Sequence, residues 1–480
     1  MVRDQGLEQA FYPKAIAIVG VSRTDDDHPP GYTGLAFLRL LQQAGFEGRV
    51  FPVNPKASLI EGTRVYPSII SLPEPLDLVI VAVPAASVPQ VLEDCIEAGV
   101  RNVHICTAGF GETGEPEGRE MENRIRQIAL RGGLRIIGPN CLGLHVPSIR
   151  MKMYENVPLA QGPVAFISQS GGHAQTFLGQ GPPLGIGFSK VISYGNALMM
   201  DSTDFLEYLA TDPETQIICM YIEGVKDGNK LTNLVRQLNL KKPVVIWKGG
   251  LTSSGARAAA THTGSLAGDR QIWNSFFKQT GAIRVGSTEE MADVCMTFLR
   301  VKPLSGRRVA VFGGGGGNNV ATGDTCAEEG LEVLALSEET RRWLMEFVSL
   351  VNQSVINPLD AGTVFAEASR LRRATEIVAA DPGVDMIILH MGADFANWLS
   401  AEAWARFKKC AAEMTQENPA GKPLIMAAQG LGKAGDTERF AQELREAGLT
   451  VYGSLLRACR ALSRFAAYHQ FIAESGKGNG

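Results

Sequence analysis

The strongest constraint on the fold is an alternation of short β-branched runs with helix-length amphipathic stretches along the whole chain. Ala15–Val19, Phe188–Ser193 and Ile217–Ile222 are typical of the short runs, and Gly34–Ala44 and Thr288–Arg300 of the longer stretches. Short apolar runs between helical patterns are typical of parallel strands that are covered by helices on both faces. The sequence therefore predicts an α/β fold with parallel sheets.

The length of 480 residues exceeds what one hydrophobic core serves and indicates three domains. We predict a Rossmann-like domain over residues 1–157, a flavodoxin-like domain over 158–302 and a second flavodoxin-like domain over 303–480. The last two look like an internal repeat. Each opens with a strand and a Gly-rich turn, at Val164 and Val309, and each closes with a strand, Gly-Ser and a long helix.

Composition excludes several functional classes. The net charge of −4 leaves no basic surface for nucleic acid. The sequence has no apolar run of 18 residues and no secretory signal at its start, so we expect no membrane segment. Its eight cysteines are scattered singly, as in proteins with reduced thiols, and we expect a cytoplasmic protein.

His262 stands alone in a stretch of very small residues. Residues 255–269 are mostly Ala, Gly, Ser and Thr, which impose little resistance to backbone movement. A core histidine would have bulky neighbours, and a metal site would bring further ligands at suitable spacing. We interpret His262 as a nucleophile on a pliant loop. The alternative is an exposed loop histidine without a role.

The first strand of the chain leads into a turn with a single glycine, Gly20, followed by Val21 and Ser22. That pattern is a weak dinucleotide signal. The second strand ends in Asn54, Pro55 and Lys56, where an NAD site would carry a carboxylate. A cation there favours a nucleotide with an extra phosphate, and both coenzyme A and NADP meet that demand. A plain Asn-Pro-Lys turn is the alternative.

Three further loops follow predicted strands of the first domain, where ligands of parallel sheets gather. They are Val83–Ala85, Thr107–Glu112 and Gly138–Gly143. Their glycines and prolines allow the backbone to approach a ligand closely, but no loop is specific by itself.

Taken together, these residues resemble the α subunit of succinyl-CoA synthetase and, more closely, that of ADP-forming acetate–CoA ligase. The resemblance covers essentially the whole chain. Its strong motif is Thr-His-Thr-Gly-Ser-Leu-Ala-Gly around His262, and Tyr221-Ile-Glu-Gly224 and Ser168–Gly172 add to it. The third domain resembles the additional domain of the acetate–CoA ligase.

The resemblance implies a role for each group of residues. His262 would be phosphorylated during turnover, and Glu223 would fix its tautomer. A phosphate-binding turn would comprise Ser168, Gln169, Ser170, Gly171 and Gly172. Coenzyme A would be bound by Gly20, Val21, Ser22, Asn54, Pro55, Lys56, Val83, Pro84, Ala85, Thr107, Ala108, Gly109, Asn140 and Cys141. Ser170 as an ordinary helix N-cap and Glu223 as a solvated loop residue are the alternatives for those two.

The implied activity is that of an NDP-forming acyl-CoA synthetase, with acyl-CoA and phosphate as substrates. No stretch of the sequence resembles an ATP-grasp domain. We therefore expect ATP or ADP with Mg²⁺ on a separate β subunit, a hetero-oligomer or a dimer, and no metal site on this chain. A CoA-binding regulatory or scaffold protein derived from the ligase is the alternative. An NADP oxidoreductase is a third possibility, although no acid/base pair for hydride transfer is evident.

One segment departs from the resemblance, and two others allow alternative interpretations. The loop 24–33 is longer and more acidic than expected beside a diphosphate. Leu198, Met199 and Met200 could form an acyl pocket or belong to the core. The run Gly313–Gly317 could bind a phosphate or serve as a structural turn.

Overall fold

A computed structural model of the chain describes residues 5–22, 33–263, 268–304, 306–313, 315–393, 395–417, 420–430 and 435–477. Contacts between residues divide the chain into two units, Met1–Met291 and Ala292–Gly480. The first unit holds two large sheets and the second unit holds one.

The first sheet has five parallel strands in the order β2-β1-β5-β6-β7, and a small antiparallel ribbon, β3-β4, accompanies it. The strands are β1 Ala15–Val19, β2 Arg49–Val53, β3 Leu59–Ile60, β4 Thr63–Arg64, β5 Leu78–Val81, β6 Asn102–Ile105 and β7 Arg135–Ile137. The strands β1, β5 and β6 are buried along their whole length, because helices cover both faces of the sheet.

The second sheet has six strands in the order β13-β12-β11-β9-β10-β8. These strands are β8 Gly143–His145, β9 Gln161–Ser168, β10 Phe188–Ser193, β11 Ile217–Ile222, β12 Val244–Lys248 and β13 Ile283–Val285. The edge strand β8 is antiparallel to β10 and the others are parallel. The segment after β7 therefore contributes its strand to the second sheet.

Among the described residues, ten α-helices lie within or begin in the first unit. They are α1 Gln5–Phe11, α2 Gly34–Ala44, α3 Val88–Glu97, α4 Pro116–Gly132, α5 Gly171–Gln180, α6 Ser202–Thr211, α7 Gly228–Leu238, α8 Ser253–Thr263, α9 Arg270–Thr280 and α10 Thr288–Arg300. Local sequence explains many of their ends. For example, Thr33 caps the start of α2 through its hydroxyl, and Gly45 ends that helix in the left-handed conformation.

The second unit contains a five-stranded parallel sheet in the order β15-β14-β16-β17-β18. The strands are β14 Val309–Gly313, β15 Leu359–Asp360, β16 Met386–Gly392, β17 Leu424–Gln429 and β18 Val451–Tyr452. The helices are α11 Gly316–Glu328, α12 Glu338–Met345, α13 Gly362–Phe365, α14 Ala368–Ala380, α15 Phe395–Trp398, α16 Ala401–Gln416, α17 Asp436–Glu446 and α18 Leu455–Lys477.

The predicted α/β class, with a Rossmann-like domain ahead of flavodoxin-like ones, is confirmed. Over the described ranges, no helix combines the length and hydropathy needed to cross a membrane. All eight cysteines lie among the described residues, are buried and form no disulfide there.

Candidate active site

The residues predicted to bind CoA and those predicted to bind the phosphoryl group follow strands at which the strand order of their sheet reverses. In the first sheet β1 lies between β2 and β5, and in the second sheet β9 lies between β10 and β11. Ligands of open α/β sheets bind outside the carboxyl ends of strands at such switch points. Gly20 follows β1, Ser168 ends β9, and Glu223 follows β11. Strand order alone therefore brings the predicted residues to the two edges that suit ligand binding.

The predicted phosphate-binding turn connects β9 to α5. The Ser168 hydroxyl donates to the Ser170 carbonyl oxygen at 2.7 Å and accepts from the Ser170 N–H at 3.2 Å. The Ser170 hydroxyl in turn accepts from the His173 N–H at 3.3 Å, so Ser170 is the N-cap of α5. The N–H groups of Gly171 and Gly172 begin the helix and have no carbonyl partner within it. They suit an anion, which the helix dipole also favours.

Glu223 is buried beside this turn, with 3% of its surface exposed. The Gln169 side-chain oxygen accepts from the Glu223 N–H and, at 2.9 Å, from the Gly224 N–H. The Tyr221 hydroxyl donates to Glu223 Oε1 at 3.0 Å. A solvated loop glutamate is thereby excluded. Burial and the nearby carboxylate raise the pKa of Tyr221 well above its usual range, so its hydroxyl remains a donor.

Lys248, which ends β12, is a buried cation at this edge that the sequence analysis missed. Its ammonium donates to the Glu223 carbonyl oxygen at 2.8 Å and to that of Gly249, and it lies 5.1 Å from the centre of the Trp273 ring. Burial lowers the pKa of Lys248 to about 8. A lysine at a strand end is common in sequences, and its role here follows from packing that only the fold supplies.

The segment that carries His262 differs from the predicted loop. Residues Ser253–Thr263 form the helix α8, since the run of alanines from 258 to 260 has high helix propensity. The side chain of His262 lies outside the described residues, as do residues 264–267. Gly250 and Gly268 flank the segment, and both have φ of +76°. Helix α8 also contacts the Gly111–Thr113 turn, which follows β6 of the first sheet.

Gly224, the residue after Glu223, lines a cavity of about 630 Å³. Its lining also includes Lys226, Gly268, Trp273 and Phe276. The volume is within the range of small-molecule sites. The segment that carries His262 thus rejoins the described structure at the wall of this cavity.

The predicted CoA-binding residues after β1 and β2 lie together. The Asn54 side chain donates to the Val21 carbonyl oxygen at 2.7 Å and accepts from the Lys56 N–H at 2.8 Å. Gly20 has φ of +100°, and a Cβ there would lie 2.1 Å from the Ala82 carbonyl oxygen. Only glycine fits this position, as expected where a strand turns sharply into a ligand loop. Pro55 and Lys56 are exposed, and the acidic residues 24–32 lie outside the described residues.

The other predicted CoA loops join at the same edge of the first sheet. The Thr107 hydroxyl donates to the Val83 carbonyl oxygen at 2.7 Å, and the Asn140 N–H donates to the Thr107 carbonyl oxygen at 2.9 Å. Gly109 has φ of +104°, and a Cβ there would lie 3.4 Å from that of Ala85. Pro84 and Ala108 belong to these same loops, whereas Ser22 follows β1 in the loop that contains Gly20. Cys141 is buried, so only its backbone could face a ligand.

Glu112 and Asn196 connect the loops of the two sheets. The Asn196 side chain donates to the Glu112 carboxylate, which also accepts from the Gly109 N–H. Asn140 donates to the side-chain oxygen of Asn196 at 3.3 Å. The loops predicted to bind CoA are therefore hydrogen-bonded to the segment that follows β10. Glu112 lies in the loop Thr107–Glu112 that the sequence analysis singled out, but nothing in that loop indicated the pairing with Asn196.

The structure favours one of the two alternatives at Leu198–Met200 and at Gly313–Gly317. Leu198 and Met200 are buried, and Leu198 packs in the core of the first sheet, which favours core packing over an acyl pocket. At the glycine-rich run of the second unit, the Gly315 N–H donates to Asp360 Oδ1 at 2.9 Å. A carboxylate there would repel a phosphate, which favours a structural turn. Gly314 lies outside the described residues.

Among the described residues, no group of three or more His, Cys, Asp or Glu side chains is arranged to hold a metal ion. The site as described therefore offers a buried carboxylate, a buried ammonium and a helix N-terminus at one edge, and nucleotide-type loops at the other.

Comparison with known proteins identifies both halves of the first unit. Residues 14–147 match a family described as CoA binding domain, and residues 161–298 match one described as succinyl-CoA ligase like flavodoxin domain. The acetate–CoA ligase [ADP-forming] II subunit alpha of Pyrococcus furiosus is 36% identical over 92% of this chain and 93% of its own length. The acetate–CoA ligase [ADP-forming] I of Archaeoglobus fulgidus is 35% identical over 98% of this chain. The chain spans 64% of the length of that relative.

Among solved structures, a dinucleotide forming acetyl-coenzyme A synthetase 1 from Ca. Korarchaeum cryptofilum, in complex with phosphate and ADP, superimposes with a TM-score of 0.82. It is 30% identical, and the match covers 99% of each chain. The likeness therefore extends over the second unit as well as the first.

Proposed function

The chain belongs to the family of ADP-forming acetate–CoA ligases, and from this membership we propose that it carries the CoA-binding and phosphohistidine machinery of an ADP-forming acyl-CoA synthetase. Its relatives include a 4-hydroxybutyrate–CoA ligase [ADP-forming] from Nitrosopumilus maritimus at 31% identity. The acyl group can thus differ within the family. The proposed substrate class is a small acyl-CoA together with phosphate.

The proposed reaction has three reversible steps. Phosphate attacks the thioester carbonyl of acyl-CoA, the C–S bond breaks, and acyl phosphate and CoA form. A ring nitrogen of His262 then attacks the phosphorus of acyl phosphate, which releases the carboxylate. Finally the phosphoryl group passes from His262 to the terminal phosphate of ADP, and ATP forms. Imidazole suits the middle role, because it is nucleophilic near neutral pH.

Each group of residues has a proposed part in these steps. The loops around Gly20, Asn54 and Thr107 bind coenzyme A, with Lys56 toward its 3′-phosphate. The Ser168–Gly172 turn receives the phosphoryl group. Glu223 accepts a hydrogen bond from the non-attacking ring nitrogen of His262 and stabilises the positive charge that develops on the ring.

The observation that carries the proposal is the burial of Glu223 at the switch point beside the Ser168–Gly172 turn. Burying a carboxylate is costly unless it is paired or hydrogen-bonded. Here Tyr221, Gln169 and Lys248 hold the carboxyl group and its backbone in one place. A regulatory CoA-binding protein would have no use for such an arrangement.

We propose that the nucleotide binds outside the 480 residues of this chain. Some relatives are named as α subunits, as in Pyrococcus furiosus, whereas the Archaeoglobus fulgidus relative extends well beyond the matched region. We propose that an ATP-grasp region, on a β subunit or a fused segment, binds ADP or ATP with Mg²⁺. That region would exchange the phosphoryl group with His262.

The test is transfer of label from [γ-³²P]ATP and Mg²⁺ to this chain in the presence of the ATP-grasp subunit. The expected label is acid-labile and base-stable, is absent in His262→Ala, and is discharged by acetate plus CoA. His469→Gln, which changes a histidine of the second unit, is the matched control and should label normally. If CoA binds but no label forms on this chain, the catalytic proposal fails and a CoA-binding regulator replaces it.

A further inference from the structure

A second histidine, His173, lies at the predicted phosphate turn. It is the third residue of α5, and its N–H donates to the Ser170 hydroxyl that caps the helix. Side chains at the start of a helix lean toward its N-terminus. The imidazole of His173 is therefore held at the end of α5 that begins with Gly171 and Gly172.

The imidazole packs against two aromatic rings that come from neighbouring strands. The centre of the His173 ring lies 4.5 Å from that of Tyr221, in an edge-to-face arrangement, and 4.5 Å from that of Trp247. The Tyr221 and Trp247 rings are themselves 4.8 Å apart, because the two residues are direct partners across β11 and β12. We refer to His173, Tyr221 and Trp247 as the three-ring cluster.

The three-ring cluster reaches Glu223 through the hydroxyl of Tyr221. That hydroxyl donates to Glu223 Oε1 at 3.0 Å. On its other side lies Gly249, where a Cβ would come within 2.8 Å of the Tyr221 oxygen. The phenol is thus confined by His173 and Trp247 at its ring and by Gly249 at its oxygen. A change of the His173 side chain would therefore alter the position of the Tyr221 hydroxyl and its hydrogen bond to the Glu223 carboxylate.

We propose that His173 is a positioning residue that acts through Tyr221 to hold Glu223 in the orientation needed to orient His262. The inference rests on the proposed function, because it assigns a purpose to the orientation of Glu223. It makes the packing of the His173 ring the essential property. Titration of the ring and contact with the phosphoryl group are not part of the role.

A double-mutant cycle separates this role from a direct one. In His173→Ala and in Tyr221→Phe, we expect the rate of His262 phosphorylation from ATP to fall by about 10- to 100-fold, as is typical when an outer partner of an essential group is lost. In the double variant the rate should fall no further than in the slower single variant, because both changes interrupt one path. CoA affinity should stay within about twofold in every variant.

The conservative variant His173→Phe keeps a ring of similar size and should restore the rate to within about threefold of the wild type. The exposed Gln175→Ala on the same helix is the matched control and should phosphorylate at the wild-type rate. If His173→Ala does not fold, the comparison of His173→Phe with Tyr221→Phe still tests the inference. If His173→Phe is phosphorylated at a rate near that of the wild type and Tyr221→Phe is slow, positioning through the Tyr221 hydroxyl is supported. If His173→Phe is slow as well, the inference is overturned.

Three results would overturn the inference while leaving the proposed function standing. These are multiplicative rate losses in the double variant, no loss in His173→Ala, and a fall in phosphate affinity in His173→Phe. The last would indicate that the imidazole contacts the phosphoryl group itself. If the wild-type chain takes no label on His262, the proposed function fails first, and the inference fails with it.

Discussion

At the scale of single residues, two side chains of opposite charge are buried at the end of the second sheet. Glu223 and Lys248 are 3% and 4% exposed, and both are hydrogen-bonded to neighbouring backbone or side chains. Buried charges of this kind add little to stability, since desolvation offsets their attraction. Their presence at a switch point is better explained by chemistry than by folding.

Lys248 yields a prediction about pH. Its folded pKa is about 8, against an ordinary value of 10.5. Between these values the unfolded chain binds a proton that the folded chain has released, so the contribution of Lys248 to the free energy of unfolding rises with pH. Below pH 8 the cost of burying the ammonium is fully present. In urea unfolding of the first unit, the difference between wild type and Lys248→Met should therefore shift in favour of the wild type from pH 8 to pH 10.

The exposed lysine of α9 supplies the control for that comparison. Lys278→Met changes the same residue type without a buried partner network. If both variants give the same pH dependence, the desolvation of Lys248 is not the source of the slope.

Lys56 is predicted to recognise the extra phosphate of the cofactor. Its side chain is exposed at the turn that Asn54 ties to Val21. Lys56→Ala should weaken CoA binding by roughly 3- to 10-fold, as expected for loss of one charge-assisted contact. The affinity for dephospho-CoA should stay the same, since that ligand lacks the 3′-phosphate. Calorimetric titration of both ligands makes the comparison, and equal losses for the two would contradict the assignment.

At the scale of elements, the sequence predicted most of the strands and helices correctly, because periodic burial marks them directly. The bounds Gly34–Ala44 and Thr288–Arg300 agree with the structure at both ends. The stretch before Thr263 was wrongly predicted as a loop, because small residues suit both a mobile segment and an Ala-rich helix. The pairing of β8 with β10 depends on contacts between distant segments, which no local pattern reveals.

The same limit applies to the candidate site. Glu223 and the Ser168–Gly172 turn carry recognisable motifs, and their place at a strand end could be predicted. His173, Lys248 and Trp247 carry no motif. Their positions around Tyr221 arise only when β11 and β12 pair in register and α5 packs over the edge.

The start of α5 tests whether Ser170 is a cap, a phosphate ligand or both. Ser170→Ala removes the capping oxygen and should lower the free energy of unfolding by about 1 kcal/mol, whereas Ser170→Gly should cost only a few tenths. If the hydroxyl also binds the phosphoryl group, both variants should slow His262 phosphorylation to a similar degree, about 10-fold. Urea unfolding and the labelling rate are measured on the same preparations. A slow Ala variant beside a normal Gly variant would mean that Ser170 is only a cap.

At the scale of the whole first unit, the two switch points are linked by hydrogen bonds. The Asn196 side chain donates to Glu112, whose carboxylate also holds the Gly109 N–H in the loop predicted to bind CoA. Helix α8, which carries His262, contacts the turn Gly111–Thr113 that includes Glu112. The position of the loop predicted to bind CoA and the position of helix α8 therefore depend on shared residues.

This link predicts that Asn196→Ala affects one half of the reaction more than the other. Without the side-chain amide, the Glu112 carboxylate loses a donor and the Gly109 loop is less firmly placed, which should weaken CoA binding by roughly 3- to 10-fold. Phosphorylation of His262 by ATP does not use CoA and should proceed within about twofold of the wild-type rate.

Discharge of the label by acetate plus CoA should slow by more than the loss of CoA affinity alone explains, since the attacking thiol is less well oriented. Saturating CoA distinguishes the two contributions, because it restores binding but not orientation. If saturating CoA restores the wild-type discharge rate, Asn196 only supports CoA binding, and the two switch points act independently.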